Sequence, residues 1–315
     1  MKNKVLKIIK AAAFIALTAM IIVLITPVFQ KKNINGAWNY TVKVNAFKNL
    51  EKDILDVIFF GSSHAYCSFV PSEFDKYGLD SYVLATQQQT SAMSYYYMVE
   101  ALKTQSPSVI VYETYMIGEK EYIPEDSVIY DAADQLPMSL NKLRLIHASV
   151  KDKKFGDRLP FYLTILKFHN RYSSLTNDDF YYDPDAAVDE YRGYVYLEDA
   201  KPLEDTKLTD AGEVGTICAV DKMYLDKMAK LCEENNIKFV LAYSPYPIPQ
   251  EKVASLNAVA EYADDRGIPF FDGNRHYDSF GLDSEKDFYD SNHLSYSGAV
   301  KFSDSFAEFI LSISK

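Results

Sequence analysis

The 315-residue sequence has little cysteine, a single tryptophan and only five histidines. Its three cysteines, Cys67, Cys218 and Cys232, are too few and odd in number for a disulfide framework, and they lack the spacing of metal ligands. It contains neither a glycine-rich phosphate loop nor a zinc motif. The sequence therefore excludes a disulfide-built fold and indicates no cofactor and no metal site.

Basic residues are scarce outside the amino terminus. Residues 1–32 hold six lysines and no acidic residue, which leaves 27 basic against 44 acidic residues in the remainder. Nucleic-acid binding needs many basic side chains to neutralise phosphates, so we expect no nucleic-acid partner for this acidic body. The overall composition, 48% hydrophobic and 24% charged, is typical of a globular protein and not of a disordered chain.

Only one hydrophobic run is long enough to cross a membrane. Residues 11–30, AAAFIALTAMIIVLITPVFQ, would span about 30 Å as a helix, which matches a bilayer core. A cleaved signal peptide, the alternative, would have a shorter apolar part that ends in a small-residue site. More lysines precede the run than follow it, so we expect a single-pass anchor with a cytoplasmic amino terminus in the cell membrane. This divides the chain into a cytoplasmic end and signal anchor (1–32), a stalk (33–52) and an extracytoplasmic body (53–315).

The body alternates strand patterns with helix patterns. Strands are predicted at 56–61, 81–85, 108–113, 237–243 and 268–272. Helices are predicted at 91–105, 219–236, 250–267 and 295–313. Apolar strands that alternate with helices indicate an α/β fold, a three-layer α/β/α flavodoxin-like domain with a parallel sheet. Residues 116–218 break the alternation, and we interpret them as one inserted, mostly helical cap over the site; the alternative is a surface embellishment away from the chemistry.

Two serines and a histidine stand where the first predicted strand ends. Gly61-Ser62-Ser63-His64 directly follows the apolar run DVIFF. In parallel α/β folds the reactive site lies outside the carboxyl ends of the strands, which is where this stretch is expected. A serine hydroxyl is a weak nucleophile until a base takes its proton. His64 adjoins Ser63 in sequence, so its side chain should point elsewhere and the base must come from another segment.

His293 is the best candidate for that base. It lies just before the last predicted helix, and Asp290 precedes it by three residues, so on a helical turn the two side chains would face each other. The carboxylate can accept the Nδ1 proton and leave Nε2 free to act as a base. The alternative is that Asp290 is a capping residue and His293 a surface histidine. Combined with the strand-end serine, the pattern predicts a Ser63–His293–Asp290 triad.

These segments resemble the SGNH/GDSL hydrolase superfamily. The resemblance is carried by FFGSSH near the amino end and by DSNHLSYSGAVKFS near the carboxyl end, and in organisation it covers residues 53–113 and 219–315. It implies that Ser63 is the nucleophile, with Ser62 where aspartate is common, and that Asp290 and His293 form the family's D-x-x-H motif. Residues 82–113 are similar to membrane-anchored members, including the D-alanyl-transfer protein of teichoic acid D-alanylation and relatives that act on polysaccharide acyl groups.

The sequence departs from the family at two positions that usually bind the oxyanion. Gln88 stands where the family's second block usually has a glycine, and Glu113-Thr114-Tyr115 stands where the third block usually has an asparagine. Backbone N–H groups need no particular side chain, so those of Ser63 and Gln88 remain the predicted oxyanion donors.

The resemblance implies an esterase or O-acyltransferase. The expected substrate is an O-acetyl or D-alanyl ester of an envelope polysaccharide or a teichoic-acid-like polymer, and a multi-pass membrane O-acyltransferase is the implied partner. Two alternatives remain open. One is a catalytically inactive module that binds an envelope glycan or a membrane partner, and the other is a structural tether without a pocket.

Overall fold

The chain folds into two compact units. The structure, a computed structural model, describes residues 2–203, 212–277 and 279–313. One unit combines Met1–Asn33 with Val150–Asp183, and the other combines Ile34–Ser149 with Pro184–Lys315. The insertion predicted at 116–218 is therefore divided between the units, and its residues 204–211 lie outside the described part of the chain.

The observed elements follow the predicted alternation closely. The strands are β1 Val57–Phe60, β2 Ser81–Val83, β3 Val109–Glu113, β4 Lys238–Tyr243 and β5 Phe270–Asp272. The helices are α1 Lys2–Phe29, α2 Tyr40–Lys48, α3 Ser63–Tyr66, α4 Pro71–Asp75, α5 Ser91–Ala101, α6 Asp126–Gln135, α7 Leu140–Val150, α8 Phe155–Tyr162, α9 Ile165–Phe168, α10 Asn177–Tyr181, α11 Ala219–Glu234, α12 Gln250–Arg266 and α13 Tyr296–Ile313.

The five strands of the second unit form one parallel sheet. Its order is β2-β1-β3-β4-β5, and every pairing is parallel, with Phe59 opposite both Val83 and Val111. This is the flavodoxin-like order, in which the strand sequence reverses between β1 and β3. The predicted α/β class with a parallel sheet is confirmed.

Both faces of the sheet are buried under helices, as strands without a polar alternation require. On one face Phe59 and Phe271 pack against Phe306 of α13, in a cluster that also holds Phe74 of α4. On the other face α5 packs against β1, and α11 packs against β4 and α5. Successive side chains of a strand point to opposite faces, so fully buried strands such as β1 carry large apolar residues at every position.

Residues 40–48 differ from the expected polar stalk. They form α2, most of whose side chains are buried, among them Tyr40, Val44 and Phe47. The Lys43 ammonium is buried too, and it donates to the backbone oxygens of Gly193 and Tyr194 at 3.1 and 2.6 Å. These residues therefore form a mostly buried helix that packs onto the body. The division of the chain into anchor, stalk and body stays a prediction.

α1 has the length and composition of a membrane span. Within its residues Asn3–Phe29, the most apolar stretch of 18 residues has a mean hydropathy of 2.7, and the apolar side chains of α1 are largely exposed. A signal sequence near an amino terminus would have the same properties, so this helix is compatible with both readings.

Candidate active site

The candidate site lies at the edge of the sheet where the strands reach their carboxyl ends. Ser63 follows β1, Gln88 follows β2, Tyr115 follows β3 and Ser244 follows β4. Because these strands are parallel and adjacent, the four segments leave the sheet on the same side. The reversal between β1 and β3 is the point at which ligands bind in this class of fold, and Ser63 and Tyr115 flank it.

A tight turn after β1 holds Ser63. The backbone φ of Gly61 is +151°, and a Cβ at this position would lie 2.9 Å from Cβ of Glu113, so only glycine fits here. Ser62 caps α3 by accepting a hydrogen bond from the His64 N–H at 3.4 Å. Ser62 and His64 are buried, but Ser63 between them is partly exposed. The turn therefore presents the one hydroxyl that the sequence predicts to be the nucleophile.

Asp290 and His293 face each other across a second tight turn. His293 Nδ1 lies 3.0 Å from Oδ1 and 3.1 Å from Oδ2 of Asp290. The turn is not the helical one expected from the spacing. It is closed by a bridge between Phe288 and Leu294, both fully buried, and by the Tyr289 N–H, which donates to the His293 carbonyl at 2.9 Å. The buried side chains of Phe288 and Leu294 thus fix the turn that carries Asp290 and His293.

The geometry leaves Nε2 of His293 free of competing contacts. Burial alone would raise the pKa of the Asp290 carboxyl, but donation by the Asn292 and His293 N–H groups and by the His293 ring holds it below its usual range. The ionised carboxylate fixes the proton on Nδ1, which leaves Nε2 as the basic nitrogen. Nε2 is buried, and among the described residues it has no hydrogen-bond partner.

His64 lies at the site, where we expected its side chain to point elsewhere. Its ring stacks on Tyr115 at 3.6 Å between centroids, meets the edge of Tyr246 at 4.9 Å, and lies 5.4 Å from the ring of His293. Burial, reinforced by the neighbouring charges of His293 and Lys252, lowers the pKa of His64 well below its ordinary value. His64 is therefore a neutral wall of the site, and it brings the segment that carries Ser63 beside the imidazole of His293.

The buried side chain of Glu113 connects the segments that follow β3 and β4 through hydrogen bonds. Its Oε1 accepts the N–H of Tyr115 at 3.2 Å and the N–H of Ser244 at 3.3 Å. The Ser244 hydroxyl in turn donates to the carbonyl of His64 at 3.2 Å. Complete burial raises the pKa of Glu113 to about 8, so its carboxyl is neutral at pH 7. The segments after β1, β3 and β4 are thus joined through one protonated side chain.

The two predicted oxyanion donors, the backbone N–H groups of Ser63 and Gln88, belong to segments that follow adjacent strands at the same edge of the sheet. Gln88 is half-buried, has a positive φ of 48°, and accepts a hydrogen bond from the Tyr122 hydroxyl at 2.8 Å through its side chain. The backbone N–H of Ser63 is the first of α3 and has no partner within that helix. The role of these two N–H groups stays a prediction.

Sequence reasoning missed three contributors to this site. They are His64 as a wall, Glu113 as a tie, and the aromatic pair Tyr115–Tyr246, whose ring centroids lie 5.4 Å apart. Glu113 could have been recognised in the sequence as an acidic residue at the end of an otherwise apolar strand, because acidic side chains are seldom fully buried without a partner. The stacked rings left no such signal, since tyrosine is common throughout this chain.

Comparison with known proteins gives similar folds but no close relative. No protein-family model matches the sequence, and no curated protein matches it. Among solved structures, a candidate acylhydrolase of Bacteroides fragilis is 16% identical with a TM-score of 0.42, and it covers 86% of this chain and 95% of its own. A GDSL-like lipase of Bacteroides thetaiotaomicron is 13% identical with a TM-score of 0.41, covering 89% and 100%. An acetyl xylan esterase of the rumen bacterium Butyrivibrio proteoclasticus is 10% identical with a TM-score of 0.32, covering 84% and 65%.

Proposed function

We propose that this protein is a membrane-anchored serine enzyme that hydrolyses or transfers acyl esters outside the cytoplasm. The observation that carries the proposal is the pairing of His293 Nδ1 with the Asp290 carboxylate at 3.0 Å, on a ring 5.4 Å from that of His64, the neighbour of Ser63. Serine acyl transfer needs a carboxylate-oriented imidazole and a serine hydroxyl. The segment that carries the partly exposed Ser63 lies beside this imidazole, and Nε2 makes no hydrogen bond to Ser63 in this structure.

The reaction runs in two halves. Ser63 Oγ attacks the ester carbonyl carbon while its proton passes to Nε2 of His293, and the ester C–O bond then breaks as that proton moves to the leaving alcohol. A water or a second hydroxyl next attacks the acyl-serine and gives its proton to Nε2. The bond between the acyl carbon and Ser63 Oγ then breaks as that proton passes from Nε2 to Oγ, which releases the acid or the new ester and restores Ser63. The backbone N–H groups of Ser63 and Gln88 are the proposed donors to the oxyanion in both halves.

The location of the substrate follows from α1. An uncleaved α1 with its lysine-rich amino end in the cytoplasm would tether the acidic body on the outer side of the membrane. We propose an envelope polysaccharide or a teichoic-acid-like polymer as acyl donor or acceptor, O-acetyl or D-alanyl as the acyl group, and a multi-pass membrane O-acyltransferase as partner. These finer assignments come from the family resemblance in the sequence.

Covalent labelling tests the proposed nucleophile. We expect a fluorescent serine-directed phosphonate to label the purified full-length chain, and we expect Ser63→Ala to abolish the label. The matched control is Ser106→Ala, since Ser106 is an exposed serine that lies before β3 at the opposite edge of the sheet. Labelling that persists in Ser63→Ala, or that disappears equally in Ser106→Ala, would refute the assignment.

A second candidate is a catalytically inactive module that binds an envelope glycan or the membrane partner. It is favoured by Glu113 and Gln88, which stand where the family usually has its oxyanion-binding asparagine and glycine, and by the lack of a hydrogen bond between Nε2 of His293 and any described residue. Turnover of p-nitrophenyl acetate that depends on Ser63 would exclude this candidate. Glycan binding unaffected by Ser63→Ala, in a protein that phosphonate does not label, would establish it.

A further inference from the structure

The unit that contains α1 has a second part with an unusual surface. We call residues 151–181 the collar; it comprises α8, α9, α10 and the turns between them. α9, α10 and the short 3-10 turn His169–Ser173 pack against α1, and α8 packs against α9. The collar thus belongs to the candidate membrane helix, although more than a hundred residues separate the two in the sequence.

The collar is fixed to one end of α1 by charged side chains. Arg171 donates to the carbonyl of Phe29 at 2.7 Å and to both carboxylate oxygens of Asp179 at 3.0 Å. Lys32 donates to the carbonyl of Pro27 at 2.6 Å and to the carbonyl of Asp179 at 3.1 Å. The last carbonyls of a helix lack partners within it, so these bonds cap α1 and set the level of the collar along it.

The collar contacts α1 near the carboxyl end of its apolar run. On α1 the partly covered positions are Ile22, Thr26 and 28–30, whereas Val23 and Leu24 are 70% and 66% exposed. At 1.5 Å per residue, the covered stretch occupies roughly the last 12 Å of α1. In a bilayer spanned by residues 11–30, this stretch lies in the outer leaflet and its interface with water.

The collar exposes several large apolar side chains. Phe155 and Leu159 of α8, Leu163 just after it and Leu166 of α9 are 77%, 38%, 48% and 46% exposed. Three exposed aromatic side chains follow. They are Tyr172, Phe180 and Tyr181, at 74%, 58% and 81%. A soluble surface rarely leaves so much apolar area in one place, and aromatic side chains are enriched at the interface between membrane and water.

The charge of the collar also fits a contact with the membrane surface. The collar contains six basic and four acidic side chains, in a chain whose part beyond residue 32 is strongly acidic overall. Basic side chains beside an apolar helix face are the combination that binds anionic lipid surfaces.

We infer that the collar is a second membrane contact, in which residues 155–181 lie on the outer surface of the bilayer around α1. This inference rests on the proposed anchoring of α1 but not on the proposed esterase chemistry. It assigns a lipid-binding role to the middle of the insertion, which we had expected to be a cap over the site.

Depth-dependent quenching of tryptophan tests the inference. Trp38→Phe removes the only native tryptophan, and single tryptophans are then placed in the full-length chain by Phe155→Trp in the collar, Leu17→Trp in α1 and Met223→Trp in α11. Each protein is reconstituted into vesicles of phosphatidylcholine and phosphatidylglycerol brominated either close to the glycerol end or close to the bilayer centre. Circular dichroism confirms that each variant is folded.

We expect roughly twofold quenching of the Phe155→Trp probe by the shallow bromines, the depth at which interfacial helices lie. The Leu17→Trp probe should respond most to the central bromines, and the Met223→Trp control to neither.

If the Leu17 probe is quenched while the Phe155 probe behaves like the Met223 control, the collar inference is wrong and the anchor stands. An unquenched Leu17 probe rejects both. Blue-shifted but unquenched emission from the Phe155 probe would indicate a protein occupant and would likewise overturn the inference. None of these variants alters Ser63, Asp290 or His293, so the esterase proposal is tested separately.

Discussion

Glu113 makes the stability of the second unit depend on pH in a way that one substitution can isolate. Its carboxyl is fully buried, burial raises its pKa to about 8, and the two N–H groups that it accepts offset only part of that effect. In the unfolded chain the same group has its ordinary pKa of 4.5. Folding therefore keeps a proton on Glu113 over a range of pH in which the unfolded chain has released it.

The sign and size follow from proton linkage. Below about pH 4.5 both states are protonated and the burial has no electrostatic cost; between there and about pH 8 the free energy of unfolding falls as pH rises. Each pH unit in this window removes about 1.4 kcal/mol, so at pH 7 Glu113 costs the fold about 3 kcal/mol. Glu113→Gln keeps the shape and the accepting oxygen but cannot ionise. We expect it to match the wild type at about pH 4 and to exceed its stability by about 3 kcal/mol at pH 7.

Urea unfolding of the full-length protein in detergent measures this difference across the window. Trp38 is a suitable reporter, because it is the only tryptophan and its ring contacts Tyr66 in the same unit, 5.5 Å between centroids. Other buried acids contribute equally to both proteins, so the difference between them isolates position 113. The exposed Glu285→Gln serves as control. A difference between Glu113→Gln and wild type that stays constant from about pH 5 to pH 8 would refute the reasoning.

Two further substitutions test the site and the core. Asp290→Asn should lower p-nitrophenyl acetate turnover by about 10³–10⁴-fold without changing the circular dichroism spectrum, because the amide no longer holds the Nδ1 proton of His293; activity within tenfold of wild type would argue against the triad. Phe306→Ala should lower the free energy of unfolding by about 3–5 kcal/mol, since its fully buried ring packs on Phe59 and Phe271. The exposed Met223→Ala should change it by less than about 0.5 kcal/mol, and equal effects in urea melts would contradict this account of the core.

The sequence predicts the sheet well because its strands are buried on both faces. The runs predicted at 108–113 and 237–243 correspond to β3 and β4 within one residue at each end. Short runs that are mostly apolar and are bounded by turn residues are typical of strands buried on both faces. The predicted 81–85 and 268–272 are longer than β2 and β5, which are edge strands and pair on one side only.

The site is predictable where chain connectivity alone determines it. Ser63 follows a strand, and the carboxyl ends of parallel strands share an edge, so its position follows from fold class. The pairing of Asp290 with His293 follows from a spacing of three, even though the turn proved not to be helical. His64 could not be placed in this way, because its contact with Tyr115 joins two segments whose approach depends on loop geometry.

The insertion shows why the remainder escaped prediction. An apolar residue at every third or fourth position predicts a helix with one apolar face, but it does not identify what that face contacts. Phe161 and Phe155 lie in the same short helix, yet one is 2% exposed and the other 77%. In a helix this short, an apolar face that packs in a core and one that contacts lipid have the same hydrophobic period. The basic residues between 151 and 171 do not decide between them, because they would suit a cap over an acidic body as well as an anionic lipid surface. The contacts of α9 and α10 with α1 assign this segment to the unit of α1, and no pattern in the sequence predicts those contacts.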